Sequence, residues 1–397
     1  MLVEHAGLHF PLHLTRYIDH LTTQLHDGGK LAPKKGRSVS RIYKLLFAVL
    51  TLGVLTACQA PAQPNSNLQL GFFPSPARIE MDSVVATLQG MAQHGDVALF
   101  QEHVPWEELL PGPDAPSAQV EDLKNFVHPA QSYGLGAIFV VGPLNGLDRT
   151  EFYGVPEVWG PPSFGDARIR AAYKNFALRI AREFHPHFLG LGSEVNTYLA
   201  THPEDAANFL SLYRETYDAL KAEFPDMRVF VTFQWDQLVR PDAFPNVSDP
   251  GRTPEDAFRA FEPRLDVWAI SSYPCFLYPD GALPDDYYAP LASMTGKPLA
   301  VAEGGCSSRS VGSFPGRVEN QIAYLEALER QLEGRLSFWI YLLYNDLDVD
   351  AYRAYMEDHG GAEDVATLEL FAYMGLADAE GRPKASMAAW DRLRTRR

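Results

Sequence analysis

Two glutamates stand where a charge is expensive. Glu194 closes the apolar run FLGLGS, and Glu303 closes PLAVA. An ionised carboxylate at the end of a buried strand is costly unless it is paired or used. Two carboxyls brought to opposite sides of one cleft can cleave a glycosidic bond: one protonates the leaving oxygen and the other attacks the sugar carbon. A separation of about 5–5.5 Å gives retention, and about 6.5–9.5 Å gives inversion. The competing role for each is an ion pair with a barrel arginine.

Other polar residues end apolar runs in the same way. VALFQ runs into Glu102 and His103, with Glu102 a rival carboxylate and His103 a candidate substrate contact or loop residue. RVFVTFQW ends on Gln234, Trp235 and Asp236, and LSFWIYLLY leads to Asn345 and Asp346. Trp235 and Trp339 offer flat faces on which a sugar ring can stack, or else belong to the core. His185 and His187 precede a strand, at the wrong end for a site, and no other His or Cys completes a metal cluster. Gly304-Gly305 is not followed by the Lys-Ser/Thr of a phosphate loop. No metal and no organic cofactor is therefore expected.

The elements that must position these residues alternate. Strands are expected at 68–73, 97–101, 136–141, 188–194, 228–235, 265–273, 298–304 and 336–344. Helices are expected near 80–94, 118–132, 166–185, 203–223, 253–261, 285–294, 316–332 and 385–395. Eight strand–helix units imply a parallel sheet. The strands are apolar almost throughout, as strands buried on both faces must be. This predicts an α/β fold, a (β/α)8 TIM barrel over 68–397, with its site at the C-terminal ends of the strands. The first strand–helix turn, PSPARI, lacks the glycines of a dinucleotide fold. Asp166 is placed to cap a helix, and Pro203-Glu204-Asp205 suits a first helical turn.

Against that frame the sequence resembles clan A of the glycoside hydrolases, retaining TIM-barrel enzymes with an acid/base Glu ending the fourth strand and a nucleophile Glu ending the seventh. The resemblance implies Glu194 as acid/base, Glu303 as nucleophile and Tyr273, in ISSYP, as the tyrosine that hydrogen-bonds the nucleophile. AEGGCSS and VENQIAYLEAL look like the seventh unit of the arabinogalactan endo-β-1,4-galactanase family, and MGLADAEGRPKASMAAW is similar to the C-terminal close of several clan A enzymes. The implied substrate is a β-linked polysaccharide or oligosaccharide, with galactan as the first guess. One departure stands out. The clan carries Asn before the acid/base, where it binds the sugar 2-hydroxyl, and this chain has Ser193. Asn196 substitutes for it only if the backbone stays extended there. The departure gives weight to a second reading, a catalytically inactive carbohydrate-binding protein on the same barrel.

The chain of 397 residues has a net charge of −16, unevenly spread. Residues 1–57 carry seven basic and three acidic side chains, which leaves −20 on the rest. An acidic body argues against a nucleic-acid partner. Residues 34–58 read KKGRSVSRIYKLLFAVLTLGVLTAC, a basic cluster before an apolar run too short to span a bilayer. Leu55-Thr56-Ala57-Cys58 resembles the lipobox of bacterial lipoproteins. That resemblance implies a lipid anchor at Cys58 and a place in the cell envelope, facing the periplasm or the exterior. Residues 1–33 read as an extension ahead of the signal, and 58–67 as a tether. Cys275 and Cys306 follow neighbouring strands, and in an oxidising compartment they are expected to pair.

Overall fold

The computed structural model describes residues 68–395 except Leu147 and Gly360. The expectations for residues 1–67, including the signal and Cys58, lie outside the described residues.

The strands are β1 (Gln69–Phe73), β2 (Val97–His103), β3 (Gly136–Gly142), β4 (Phe188–Gly190), β5 (Arg228–Phe230), β6 (Thr232–Gln234), β7 (Trp268–Ser272), β8 (Leu299–Gly304), β9 (Arg309–Val311), β10 (Phe314–Arg317) and β11 (Leu336–Leu343). Nine of them form one parallel sheet in the order β5-β4-β3-β2-β1-β11-β8-β7-β6. Its two edges, β5 and β6, are pieces of one run separated only by Val231. The edges are therefore covalently joined, and the sheet closes into an eight-position barrel. Phe338 of β11 packs across the lumen on Phe188 and Phe230, at ring distances of 4.9 and 5.4 Å. β9 and β10 form a separate hairpin that the sequence pattern did not announce.

Helices surround the sheet because each carries one apolar stripe. In Ala167–Phe184 the buried residues Ile169, Ala172, Tyr173, Phe176 and Ile180 recur at helical spacing. Asp166 caps this helix by accepting from the Arg168 amide at 2.7 Å. The next long helix starts later than expected, at Ala206. Asp205 is drawn instead into a buried knot, accepting from Ser163 Oγ (2.6 Å), the Phe164 amide (2.8 Å) and the Tyr198 hydroxyl (2.7 Å). Helices Val195–Thr201, Val349–His359 and Val365–Ala372 were not foreseen. The C-terminal helix Ala385–Thr395 seats Trp390 against Phe72, with its indole N–H on the His94 carbonyl at 2.8 Å. No helix among the described residues is long and apolar enough to cross a membrane.

Candidate active site

The fourth barrel strand ends early, at Gly190. The chain then turns sharply: Gly192 has φ +130° and Glu194 has φ +50°, ψ 41°, just before the helix Val195–Thr201. A left-handed conformation costs a non-glycine residue roughly 1–2 kcal/mol. Such strain persists where the surroundings over-determine it, and functional sites are common among those places. Here the Thr232 hydroxyl accepts from the Glu194 amide at 2.8 Å. The carboxylate is received by two other elements. Ser271 Oγ of β7 donates to Oε1 at 2.5 Å, and Arg149 Nε donates to Oε2 at 3.1 Å.

Glu303 lies inside β8, and the Tyr273 hydroxyl donates to its Oε1. The end of β7 and the residue that follows it thus touch both carboxyls, Glu194 through Ser271 and Glu303 through Tyr273. Ser271 is also the register partner of Glu303. The β7–β8 approach is close: a Cβ at Gly304 would lie 2.4 Å from the Ser272 carbonyl oxygen. Asp236, fully buried, anchors the end of β7 by accepting from the Tyr273 amide (2.7 Å), Ser272 Oγ (3.0 Å) and the Tyr287 hydroxyl (2.5 Å). Cys275 and Cys306 form a disulfide between the loops that follow β7 and β8, with Cα atoms 5.6 Å apart.

Burial dominates the electrostatics. It pushes the Glu303 carboxyl up to about 7, reinforced by the Glu194 charge and opposed by Arg149 and the Tyr273 hydrogen bond. It pushes Glu102 up to about 8 and His103 down to about 3. Asp236 is also raised by burial, against its four hydrogen-bond donors. Both site glutamates are only 4% exposed.

Several expected contacts are reassigned. The backbone does not stay extended after Glu194, so Asn196 turns onto the next strand: its Oδ1 accepts from the Gln234 amide at 2.8 Å, and Nδ2 donates to Gln237 at 3.1 Å. It takes no part in replacing the missing asparagine. Ser193 stays beside Glu194, where Oγ accepts from Arg149 Nη2 at 3.4 Å and lies 3.2 Å from Thr232 Oγ1. Trp235 is fully buried with its indole N–H on the Tyr287 carbonyl (3.1 Å), and Trp339 packs edge-on to Trp390. Neither has a free face for a sugar, because both are sealed in the core. His103 bonds the Gly142 carbonyl oxygen through Nδ1 at 3.0 Å and is covered by the stacked Tyr153 ring. Among the described residues no cluster of three His, Cys, Asp or Glu could hold a metal.

Arg149 carries no sequence signal of its own. It lies in GPLNGLDRT, a stretch with neither strand nor helix periodicity. The only signal was generic, that a buried glutamate needs a cation unless it is working.

No family model matches the chain, and no curated protein matches its sequence. Solved structures do share the fold. An exo-β-1,4-mannosidase from Opitutaceae bacterium strain TAV5 is 16% identical with a TM-score of 0.57, over 82% of this chain and 58% of that one. This chain therefore spans little more than half the length of that mannosidase. A GH5_18 protein from Bifidobacterium longum subsp. longum is 19% identical with a TM-score of 0.58, over 83% and 79%. A fungal β-1,4-galactanase is 14% identical with a TM-score of 0.50, over 77% and 90%. At these identities the likeness establishes the barrel fold common to these glycoside hydrolases.

Proposed function

We propose that the protein is a retaining glycoside hydrolase acting on a β-linked polysaccharide or oligosaccharide, with Glu303 as nucleophile and Glu194 as acid/base. The observation that carries this reading is the convergence of two buried carboxyls, from the fourth and seventh barrel positions, on Ser271 at the end of β7 and Tyr273 just after it. In the first step a Glu303 oxygen bonds to the anomeric carbon. The bond to the leaving oxygen breaks, and that oxygen takes the proton of Glu194. In the second step Glu194 takes a proton from water, whose oxygen displaces Glu303 from the carbon. Tyr273 orients Glu303 throughout. The chemistry uses only these side chains. Solved relatives of the fold include a mannosidase, a GH5_18 protein in complex with Manβ1-4GlcNAc, and galactanases. β-1,4-Galactan and β-1,4-mannosides are accordingly the first substrates to try.

A panel of β-glycans with product stereochemistry followed by NMR tests the reading. Retention is expected. Glu303→Ala should abolish hydrolysis, and Glu194→Ala with azide should yield a retained glycosyl azide. Unchanged hydrolysis by Glu303→Ala removes it from the mechanism.

A specific contact favours the second reading, a carbohydrate-binding protein without turnover: Arg149 occupies Glu194 and Ser193 together. Glycan retention with no reducing-end release would select it. We also propose export and lipid anchoring at Cys58, supported by the lipobox-like sequence and by the Cys275–Cys306 disulfide, which suits an oxidising compartment.

A further inference from the structure

Arg149 is carried by the segment after β3, which folds back on itself. Leu144 and Phe152 form an antiparallel bridge, and the Asn145 amide donates to the Glu151 carbonyl at 2.7 Å. The segment is pinned at its base by Trp106 Nε1 on the Tyr153 carbonyl (2.7 Å), and near Arg149 by His202 Nε2 on the Thr150 carbonyl (2.8 Å). Arg149 itself is 5% exposed, so its guanidinium is packed into the barrel mouth.

The consequence is chemical. Both carboxylate oxygens of Glu194 are acceptors, Oε2 from Arg149 and Oε1 from Ser271. A proton on Oε2 would face the N–H of a permanent cation. A proton on Oε1 would be held by Ser271 Oγ at 2.5 Å, so in this geometry Glu194 presents no proton to a leaving group, on either oxygen. A hydrolase needs the same residue to give a proton and to take one, in alternation.

We propose that Arg149 is a positioning residue that holds Glu194 in its proton-accepting form, so that the closed mouth is set for the water-activating step and the guanidinium must leave Glu194 before a leaving group can be protonated. The proposal rests on the hydrolase reading. Glu194 then takes a proton from solvent, gives it to the leaving oxygen, and pairs again with Arg149 as the glycosyl-enzyme waits for water. The segment has room to move: a cavity of about 640 Å³ is lined by its residues Thr150, Glu151 and Phe152 and, opposite, by Tyr198 and His202. The other groups facing the pair are Glu303 on β8 and Tyr273 after β7, both of which feel the Glu194 charge, and His103 on β2, which feels Arg149.

The test compares Arg149→Gln and Arg149→Lys with the parent on phenyl and 2,4-dinitrophenyl β-mannosides and β-galactosides. The dinitrophenolate leaves without a proton, and the phenolate needs one. In Arg149→Gln the phenyl/dinitrophenyl ratio of kcat/KM should rise about tenfold or more, within the range of general acid catalysis. Arg149→Lys should return it toward the parent value. A ratio that does not move overturns the proposal, because a merely structural arginine would change both substrates alike. Urea unfolding of Arg149→Gln, Glu194→Gln and the double variant supplies a readout without turnover. Strictly additive midpoint losses show that the pair does not exist, and overturn the proposal whatever the activity. If only Arg149→Gln hydrolyses a glycoside, the proposal is upheld. If neither parent nor variant hydrolyses any, the hydrolase reading itself has failed.

Discussion

At the N-terminal end of the barrel a cavity of about 690 Å³ is ringed by Asp96, Asp226, Arg228, Lys297 and Arg335, and at the opposite end the mouth is closed over Glu194, Glu303 and Arg149. Both ends are charged, and they spend that charge differently. At the N-terminal end charges serve the backbone. Asp96 accepts from the Leu70 amide at 2.9 Å, Asp266 accepts from the Val229 amide at 2.9 Å, and Arg335 donates to the carbonyls of Ala292 (2.8 Å) and Thr295 (2.6 Å). At the mouth, side chains meet side chains from other strands. The exposure differs as well: the Asp266 and Lys221 side chains of one ion pair are 23% and 26% exposed, whereas those of Arg149 and Glu194 are both 5%. Charge that closes strand ends can stay partly wet. Charge buried and aimed at other charge has no such structural use, which is why the proposed chemistry is placed at the mouth although the N-terminal hollow is spacious.

The largest test of that contrast is Glu303→Gln. Hydrolysis is expected to fall by about a thousandfold or more, since the amide cannot attack. Stability should move the other way. The folded protein holds the Glu303 carboxyl up to about 7, above its usual 4.5. The proton it retains therefore favours the fold below about pH 4.5, and that advantage is lost as pH rises through about 7. Glu303→Gln should raise the urea midpoint at about pH 8 and leave it unchanged near pH 4. In the proposed reaction the same ionisation sets the rate. Nucleophilic attack needs the carboxylate, so kcat/KM of the parent should fall as the pH drops through about 7. A profile flat from about pH 5 to 8 would separate Glu303 from the reaction.

How far the sequence reached follows the same division. The eight apolar runs and their flanking helices were legible because burial on both faces leaves a continuous signal. The barrel positions of Glu194 and Glu303 followed from where those runs stop. What lay beyond reach was local backbone geometry. FLGLGSE reads as one strand, yet it breaks at Gly190 and turns at Glu194 through a left-handed conformation. That turn redirected Asn196 toward Gln234. Trp235, which opens a helix just after β6, and Trp339, inside β11, illustrate a second limit, since a large aromatic in an apolar run looks the same to the sequence whether it faces a cleft or is sealed in the core. Arg149 illustrates a third: an irregular loop has no period, so its reach into the mouth is set by contacts with Trp106 and His202 distant in the chain.

Tyr273→Phe sharpens the contrast with a smaller effect. The hydroxyl bonds Glu303, and the backbone amide of the same residue is fixed by Asp236. The phenylalanine variant keeps the ring and the anchored backbone and loses only the donor. A hydrogen bond to a charged group contributes about 1.5–3 kcal/mol, so kcat/KM should drop roughly 10- to 100-fold. The direction of the pH shift is fixed too. The Tyr273 bond pulls the Glu303 carboxyl down, so its loss should move the acidic limb to higher pH. A rate loss with an unmoved limb would mean that Tyr273 acts on substrate rather than on Glu303.

The smallest effect belongs to the other end. Asp266 receives the Val229 amide, the Tyr217 hydroxyl (2.8 Å) and Lys221 (3.1 Å), all far from the mouth. Asp266→Ala leaves a backbone donor at the start of β5 without its partner, and about 1–3 kcal/mol of stability should be lost. Hydrolysis per folded molecule should stay within about twofold, because none of these contacts touches β7 or Glu194. Urea unfolding and kcat/KM on the same preparation separate the two quantities. If the rate fell as steeply as the stability, the barrel would be transmitting strain from strand starts to strand ends, and the division of labour between its two rims would not hold.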